Sequence, residues 1–91
     1  MRWIYKIIIA DITKPYRDRD VTDEEAKQIG KRVAERIRQS EAYHHFKTEL
    51  EEIANKFEEQ VTSQEDFNEV LDELYDVADS HSIWVDNLPT T

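Results

Sequence analysis

Residues 63–80 read SQEDFNEVLDELYDVADS, and they predict an amphipathic helix. Apolar residues recur there at spacings of three and four, which is the period of one buried helix face. These apolar residues are Phe67, Val70, Leu71, Leu74, Val77 and Ala78. A capping box at Thr62–Glu65 or at Ser63–Asp66 marks the start of the helix. The pattern therefore predicts a helix over about residues 64–80.

Two further amphipathic helices precede this one. Thr22 and Glu25 match a capping box, and the apolar stripe after them predicts a helix over about residues 23–39. That stripe consists of Ala26, Ile29, Val33 and Ile37. Ser40 is a suitable cap for the next helix, which a second stripe predicts over about residues 41–59. The second stripe consists of Phe46, Leu50, Ile53 and Phe57.

Gly30 lies in the middle of the first of these helices. A glycine at such a position costs roughly 1 kcal/mol relative to alanine. Gly30 and Ala34 are one turn apart beside the apolar stripe, so we expect a neighbouring helix to approach the backbone closely there.

Both ends of the chain favour β-structure. Alternating aromatic and β-branched residues predict a strand over about residues 2–12, and a short apolar run predicts another over about residues 83–86. Both faces of the first strand are apolar near Ile7–Ile9, so we expect helices or a partner chain to cover both. Pro15 disfavours helical backbone at the residue before it, which predicts a polar connection over residues 13–20.

These elements give a single α+β domain over residues 1–91, in the order β-α-α-α-β. The simplest arrangement pairs the terminal strands in a small two-stranded sheet and packs the three amphipathic helices against it. The direction of strand pairing stays open. The free strand edges of such a sheet are able to pair with another molecule, which makes a homodimer one possible assembly.

Composition excludes several classes of function. Lys and Arg number 12 and Asp and Glu number 21, so the net charge is 12 − 21 = −9, which disfavours direct binding to nucleic acid or to an anionic membrane. The absence of cysteine excludes a disulfide scaffold and a thiolate metal site, and fits a cytoplasmic protein. Lys6 and Asp11 bound an apolar run too short for a signal peptide or a membrane span.

The charge is distributed unevenly along the chain. Residues 1–40 carry ten basic and seven acidic residues, a net charge of +3, whereas residues 41–91 carry two and fourteen, a net charge of −12. Seven carboxylates of the last helix project to one side of it, over about 21 Å at 1.5 Å per residue. That spacing approaches the roughly 3.4 Å between phosphates along one DNA strand.

This pattern indicates a nucleic-acid mimic that inhibits a basic nucleic-acid-binding protein by occupying its binding groove. The residues predicted to bind that partner are Glu65, Glu69, Asp72, Glu73, Asp76 and Asp79 of the last helix, with Glu51 and Glu58 of the helix before it. One alternative is an ordinary solvated helix face. Another is a self-associating structural or adaptor protein, which pairs through strand edges or through helices of opposite charge.

No catalytic or cofactor site is predicted. His45 and Glu49 supply two potential metal ligands without a third in register. Asp11 is the acid nearest a buried strand, and we interpret it as a strand-end or turn residue. Tyr16, with Arg17 and Arg19 beside it, is either an exposed protein contact or a solvated loop. We therefore expect a protein that is not an enzyme and binds no metal or cofactor.

Small, acidic, cysteine-free proteins without catalytic apparatus form a recognisable class. This chain resembles, in size and charge, the phage- and plasmid-encoded inhibitors of restriction and CRISPR systems, and the immunity proteins that neutralise basic nucleases. The resemblance includes no shared motif. It implies stoichiometric inhibition and transfers no site residue.

Overall fold

A computed structural model describes residues 3–87, except the side chains of residues 17 and 18. Within that range the elements are β1 (Tyr5–Ile8), α1 (Ala10–Asp18), α2 (Asp23–Gln39), α3 (Glu41–His45), α4 (Lys47–Glu59), α5 (Gln64–Ser80) and β2 (Ile83–Asp86). The predicted α+β class is confirmed, because the terminal strands pair in a two-stranded sheet and pack against helices. The helices predicted at 23–39 and 64–80 and the strand at 83–86 have the expected bounds.

The two strands run parallel, with Tyr5 opposite Ile83 and Ile7 opposite Val85. The face that carries Ile7, Ile83 and Val85 is buried under the helices. Ile8 points to the other face and stays 45% exposed. The expectation that both faces of β1 are covered is therefore not met within the described residues.

The core forms where the apolar stripes of α2, α4 and α5 meet the inner face of the sheet. Phe57 of α4 and Phe67 of α5 are buried with ring centroids 5.4 Å apart.

The Thr22 hydroxyl accepts a hydrogen bond from the backbone N–H of Glu25, and the Ser63 hydroxyl accepts one from that of Asp66. The predicted capping box is complete at α2, where the Glu25 carboxylate also accepts a hydrogen bond from the backbone N–H of Thr22. At α5 only half of the box at Ser63–Asp66 forms, because the Asp66 carboxylate accepts from the backbone N–H of Thr62 instead of that of Ser63.

The prediction for residues 2–20 is wrong in part. The strand spans only Tyr5–Ile8, with residue 2 outside the described residues, and the expected polar connection is mostly the helix α1. Residues 9, 12, 13 and 16 have the i, i+3, i+4, i+7 spacing of a helix face, and all four are buried or half-buried against the core. Burial of this face outweighs the backbone hydrogen bond that Pro15 cannot donate.

The predicted helix over 41–59 is divided in two at Phe46. Its φ of −127° and ψ of 47° are not helical, although its N–H still bonds to the carbonyl of Ala42. The Phe46 ring stacks on His81 with centroids 4.3 Å apart and meets Tyr5 edge-on at 5.8 Å. The break therefore places an aromatic side chain between the ends of β1 and α5.

Candidate protein-binding surface

The exposed side of α5 carries a row of carboxylates, which we call the α5 acidic face. It consists of Glu65, Glu69, Asp72, Asp76 and Asp79, all exposed. None of the five forms an ion pair or a side-chain hydrogen bond with another described residue. Because residues 65–79 are entirely helical, the row is about 21 Å long. The structure thus brings together five of the eight residues predicted to bind a partner.

Glu73 lies at the border of this face and is partly neutralised. Its carboxylate accepts a hydrogen bond of 2.6 Å from the Lys56 ammonium of α4. This contact raises the pKa of Lys56. Lys56 donates to Glu73 on the neighbouring helix, although Glu52 lies one turn before it on α4.

A groove of about 270 Å³ separates α4 from α5. Glu49 and Glu52 line its α4 side, and Glu73 and Asp76 line its α5 side, with Lys56 among them. Sequence reasoning did not include Glu49 and Glu52 in the site. Only the packing of the two helices reveals that they face the α5 carboxylates.

Glu51 and Glu58 lie outside the α5 acidic face, although the sequence predicts that they bind the partner. Both accept hydrogen bonds from Arg38 of α2, Glu51 at 3.1 Å and Glu58 at 2.5 Å. Glu51 also accepts one of 2.8 Å from the Tyr43 hydroxyl. The guanidinium of Arg38 holds the pKa of Glu51 below its usual value. These two carboxylates therefore join α2 to α4, and they share the single positive charge of Arg38.

The basic side chains of α2 lie apart from the α5 acidic face. Lys27, Lys31 and Arg32 are exposed. Arg36 makes two hydrogen bonds of 3.1 Å to Asp11 and one of 2.7 Å to the carbonyl of Ile8. Asp11 lies in the first turn of α1 rather than at a strand end. Its hydrogen bonds from Arg36 lower the pKa of its carboxyl group.

Tyr16 is not an exposed protein contact, which is one of the two interpretations that the sequence allows. Its ring stacks on Phe67 with centroids 4.5 Å apart. Burial raises the pKa of Tyr16 to about 12, and the negative charge of Glu25 adds to this effect. Among the described residues its hydroxyl has no hydrogen-bond partner.

No group of three or more His, Asp or Glu side chains within residues 3–87 has the arrangement of a metal site. No described helix has the length and apolar character needed to cross a membrane. Comparison with protein-family models, curated proteins and solved structures gives no match.

Proposed function

We propose that this protein is a non-catalytic inhibitor that binds a basic, nucleic-acid-handling protein through the α5 acidic face. The observation that supports the proposal is the row of five exposed carboxylates on one rigid helix, without partners among the described residues. Like charges at i, i+3 and i+4 destabilise a helix by a few tenths of a kcal/mol per pair. When the helix enters a cationic groove on a partner, the repulsion between its carboxylates is relieved and the anions bound in that groove are released.

The groove between α4 and α5 extends the same surface. Glu49 and Glu52 add two exposed carboxylates that line it. With the α5 acidic face they make a broad anionic surface, in which Lys56 is already paired with Glu73. A convex helix with this density of charge is suited to a groove that otherwise holds a phosphate backbone.

Affinity capture from lysate with matched charge variants tests this proposal. The α5 variant carries Glu65→Gln, Glu69→Gln, Asp72→Asn and Asp76→Asn. The control variant carries Asp20→Asn, Glu24→Gln, Glu35→Gln and Glu41→Gln, all exposed positions outside α5. Each variant has the net charge −9 + 4 = −5, so any difference between them reflects the position of the charges.

We expect the wild type and the control variant to retain a basic nucleic-acid-binding protein that high salt releases. The α5 variant should fail to retain it. Identical proteins captured by both variants would overturn the proposal, and so would capture that resists high salt.

Self-association is a second candidate, and it has its own supporting observation. Ile4 is 69% and Ile8 is 45% exposed beside a parallel sheet, and parallel sheets are normally covered on both faces. Sedimentation of the wild type and of Ile8→Asp discriminates this candidate. A dimer that persists at high salt and dissociates in the variant would favour it, whereas a monomer in both samples would exclude it.

A further inference from the structure

A second pocket borders the α5 acidic face on the side opposite α4. It has a volume of about 240 Å³ and lies between α5 and β2. Three aromatic side chains line it, from Trp3, Tyr75 and Trp84. The volume is below the roughly 300–1,000 Å³ of pockets that bind drug-sized ligands. It therefore suits a single side chain.

The aromatic rings are held in place and remain accessible. Trp3 and Trp84 meet edge to face with centroids 5.6 Å apart and an interplanar angle of 62°. The Tyr75 hydroxyl accepts a hydrogen bond of 3.3 Å from the Asn87 amide, whose oxygen accepts one from Thr13. Trp3 is 40% and Tyr75 is 37% exposed. Part of each of these two rings is thus available to a ligand.

The pocket also contains a negative charge. Asp79 lines it, one helical turn after Tyr75, and belongs to the α5 acidic face. Among the described residues that line the pocket there is no Lys, Arg or His. Aromatic faces attract cations through their quadrupoles. A carboxylate beside them selects a cation over a neutral apolar group.

We propose that this pocket binds the guanidinium group of an arginine side chain, supplied by the basic partner. The inference rests on the proposed function, because it names the anchoring residue of that partner. A planar guanidinium stacks on aromatic rings and forms paired hydrogen bonds with a carboxylate, which an ammonium group does not do. The rings provide the stacking surface, and Asp79 provides the carboxylate.

The two tryptophans of the chain make the pocket directly observable. Both of them line it, so their indole N–H signals in a ¹H–¹⁵N NMR spectrum report on this site alone. The probe is N-acetyl-arginine amide, with N-acetyl-lysine amide and the uncharged isostere N-acetyl-citrulline amide for comparison. We expect the arginine probe to shift both indole signals saturably, in the millimolar range typical of a single side chain. Citrulline should cause no shift, and lysine should bind more weakly.

Three variants on the same helix complete the test. Asp79→Asn should weaken the arginine probe by about three- to fivefold. Asp72→Asn removes the same charge from the same helix, outside the pocket, and should leave binding unchanged. Tyr75→Leu removes part of the stacking surface without changing the net charge, and it should also weaken binding of the arginine probe. Equal shifts with citrulline, equal binding of lysine, equal effects of the two Asp variants, or no shift at all would each overturn the inference.

This experiment is independent of the test of the proposed function. It needs no partner protein, so the pocket can fail to bind arginine while the α5 acidic face still captures a basic protein. Conversely, binding of the arginine probe to a protein that captures nothing from lysate would leave the pocket established and the proposed function overturned.

Discussion

A Cβ atom added to Gly30 of α2 would lie 2.5 Å from the backbone carbonyl oxygen of Phe57 in α4. It would also lie 3.2 Å from Cβ of Val61. The carbonyl belongs to a backbone fixed by helical hydrogen bonds, so it cannot move as a side chain does. The close approach that the sequence predicted at Gly30 is thus confirmed, and it fixes how α2 packs on α4.

We expect Gly30→Ala to lower the free energy of unfolding, because overpacking a core usually costs about 1–3 kcal/mol. This cost should exceed the roughly 1 kcal/mol that alanine adds through helix propensity. Urea denaturation measures the difference. Lys31→Ala, at an exposed position one residue later, should change stability by no more than about 0.5 kcal/mol. A Gly30→Ala protein more stable than the wild type would show that α2 and α4 are not in close contact here.

Substitution of Tyr16 is expected to stabilise the protein, in contrast to substitution of Gly30. Its buried hydroxyl has no partner among the described residues, so Tyr16→Phe should raise the free energy of unfolding by about 1 kcal/mol. Tyr43→Phe is the matched control, because the Tyr43 hydroxyl donates a hydrogen bond to Glu51. That variant should be less stable than the wild type. Equal effects of the two substitutions would contradict the environments described for these hydroxyls.

The same tyrosine sets a dependence on alkaline pH. Its pKa is about 12 in the folded protein, against an ordinary value of 10.0. Below pH 10 the phenol is neutral in both states and the full stability is present. Between pH 10 and 12 the unfolded chain loses the proton first, so stability falls as pH rises. Denaturation midpoints measured across this range should decline in the wild type and decline less in Tyr16→Phe.

Glu51 and Glu58 are expected to support the fold rather than the interface. Replacing both with Gln removes the ion pairs to Arg38 that join α2 and α4. Stability should fall, and the fall should shrink as acid protonates Glu51, whose pKa Arg38 holds below its usual value in the wild type. Binding to the captured partner should be unchanged under conditions in which the variant is folded. A loss of affinity as large as that of the α5 variant would place these residues in the interface.

Binding through the α5 acidic face should depend steeply on salt. The logarithm of the affinity is expected to fall linearly with the logarithm of the salt concentration, because ions are released when opposite charges meet. In the α5 variant the slope should be much shallower, whereas the control variant should keep the wild-type slope. Isothermal titration at several salt concentrations measures both. Parallel slopes for all three proteins would show that the four substituted carboxylates take no part in the contact.

The sequence predicted those elements whose signals are local. The apolar stripes and the capping-box residues predict where α2 and α5 begin and end. The helical repeat of α5 places its carboxylates on one side of the helix. Helix α1 is not predicted, because Pro15 disfavours helical backbone at the residue before it and this signal opposes the helical spacing of Ile9, Ile12 and Tyr16. The break at Phe46 has no local signal, since the contacts of its ring with Tyr5 and His81 join distant parts of the chain.

The sequence likewise predicts only part of the candidate site. A helical wheel identifies the α5 carboxylates, but it cannot show that Arg38 engages Glu51 and Glu58 or that Glu52 faces Asp76 across a groove. Those relationships depend on how α2, α4 and α5 pack. The aromatic pocket likewise combines Trp3, Tyr75 and Trp84 from three separate segments, which no single periodicity connects.

We propose that the α5 acidic face occupies a site that otherwise holds nucleic acid. A competition titration tests this, in which the captured partner is bound to fluorescently labelled nucleic acid and the protein is added in increasing amounts. We expect the anisotropy to fall to the value of free nucleic acid at about one equivalent for tight binding, and the α5 variant to leave it unchanged. Formation of a ternary complex, with the nucleic acid still bound at saturation, would contradict this proposal.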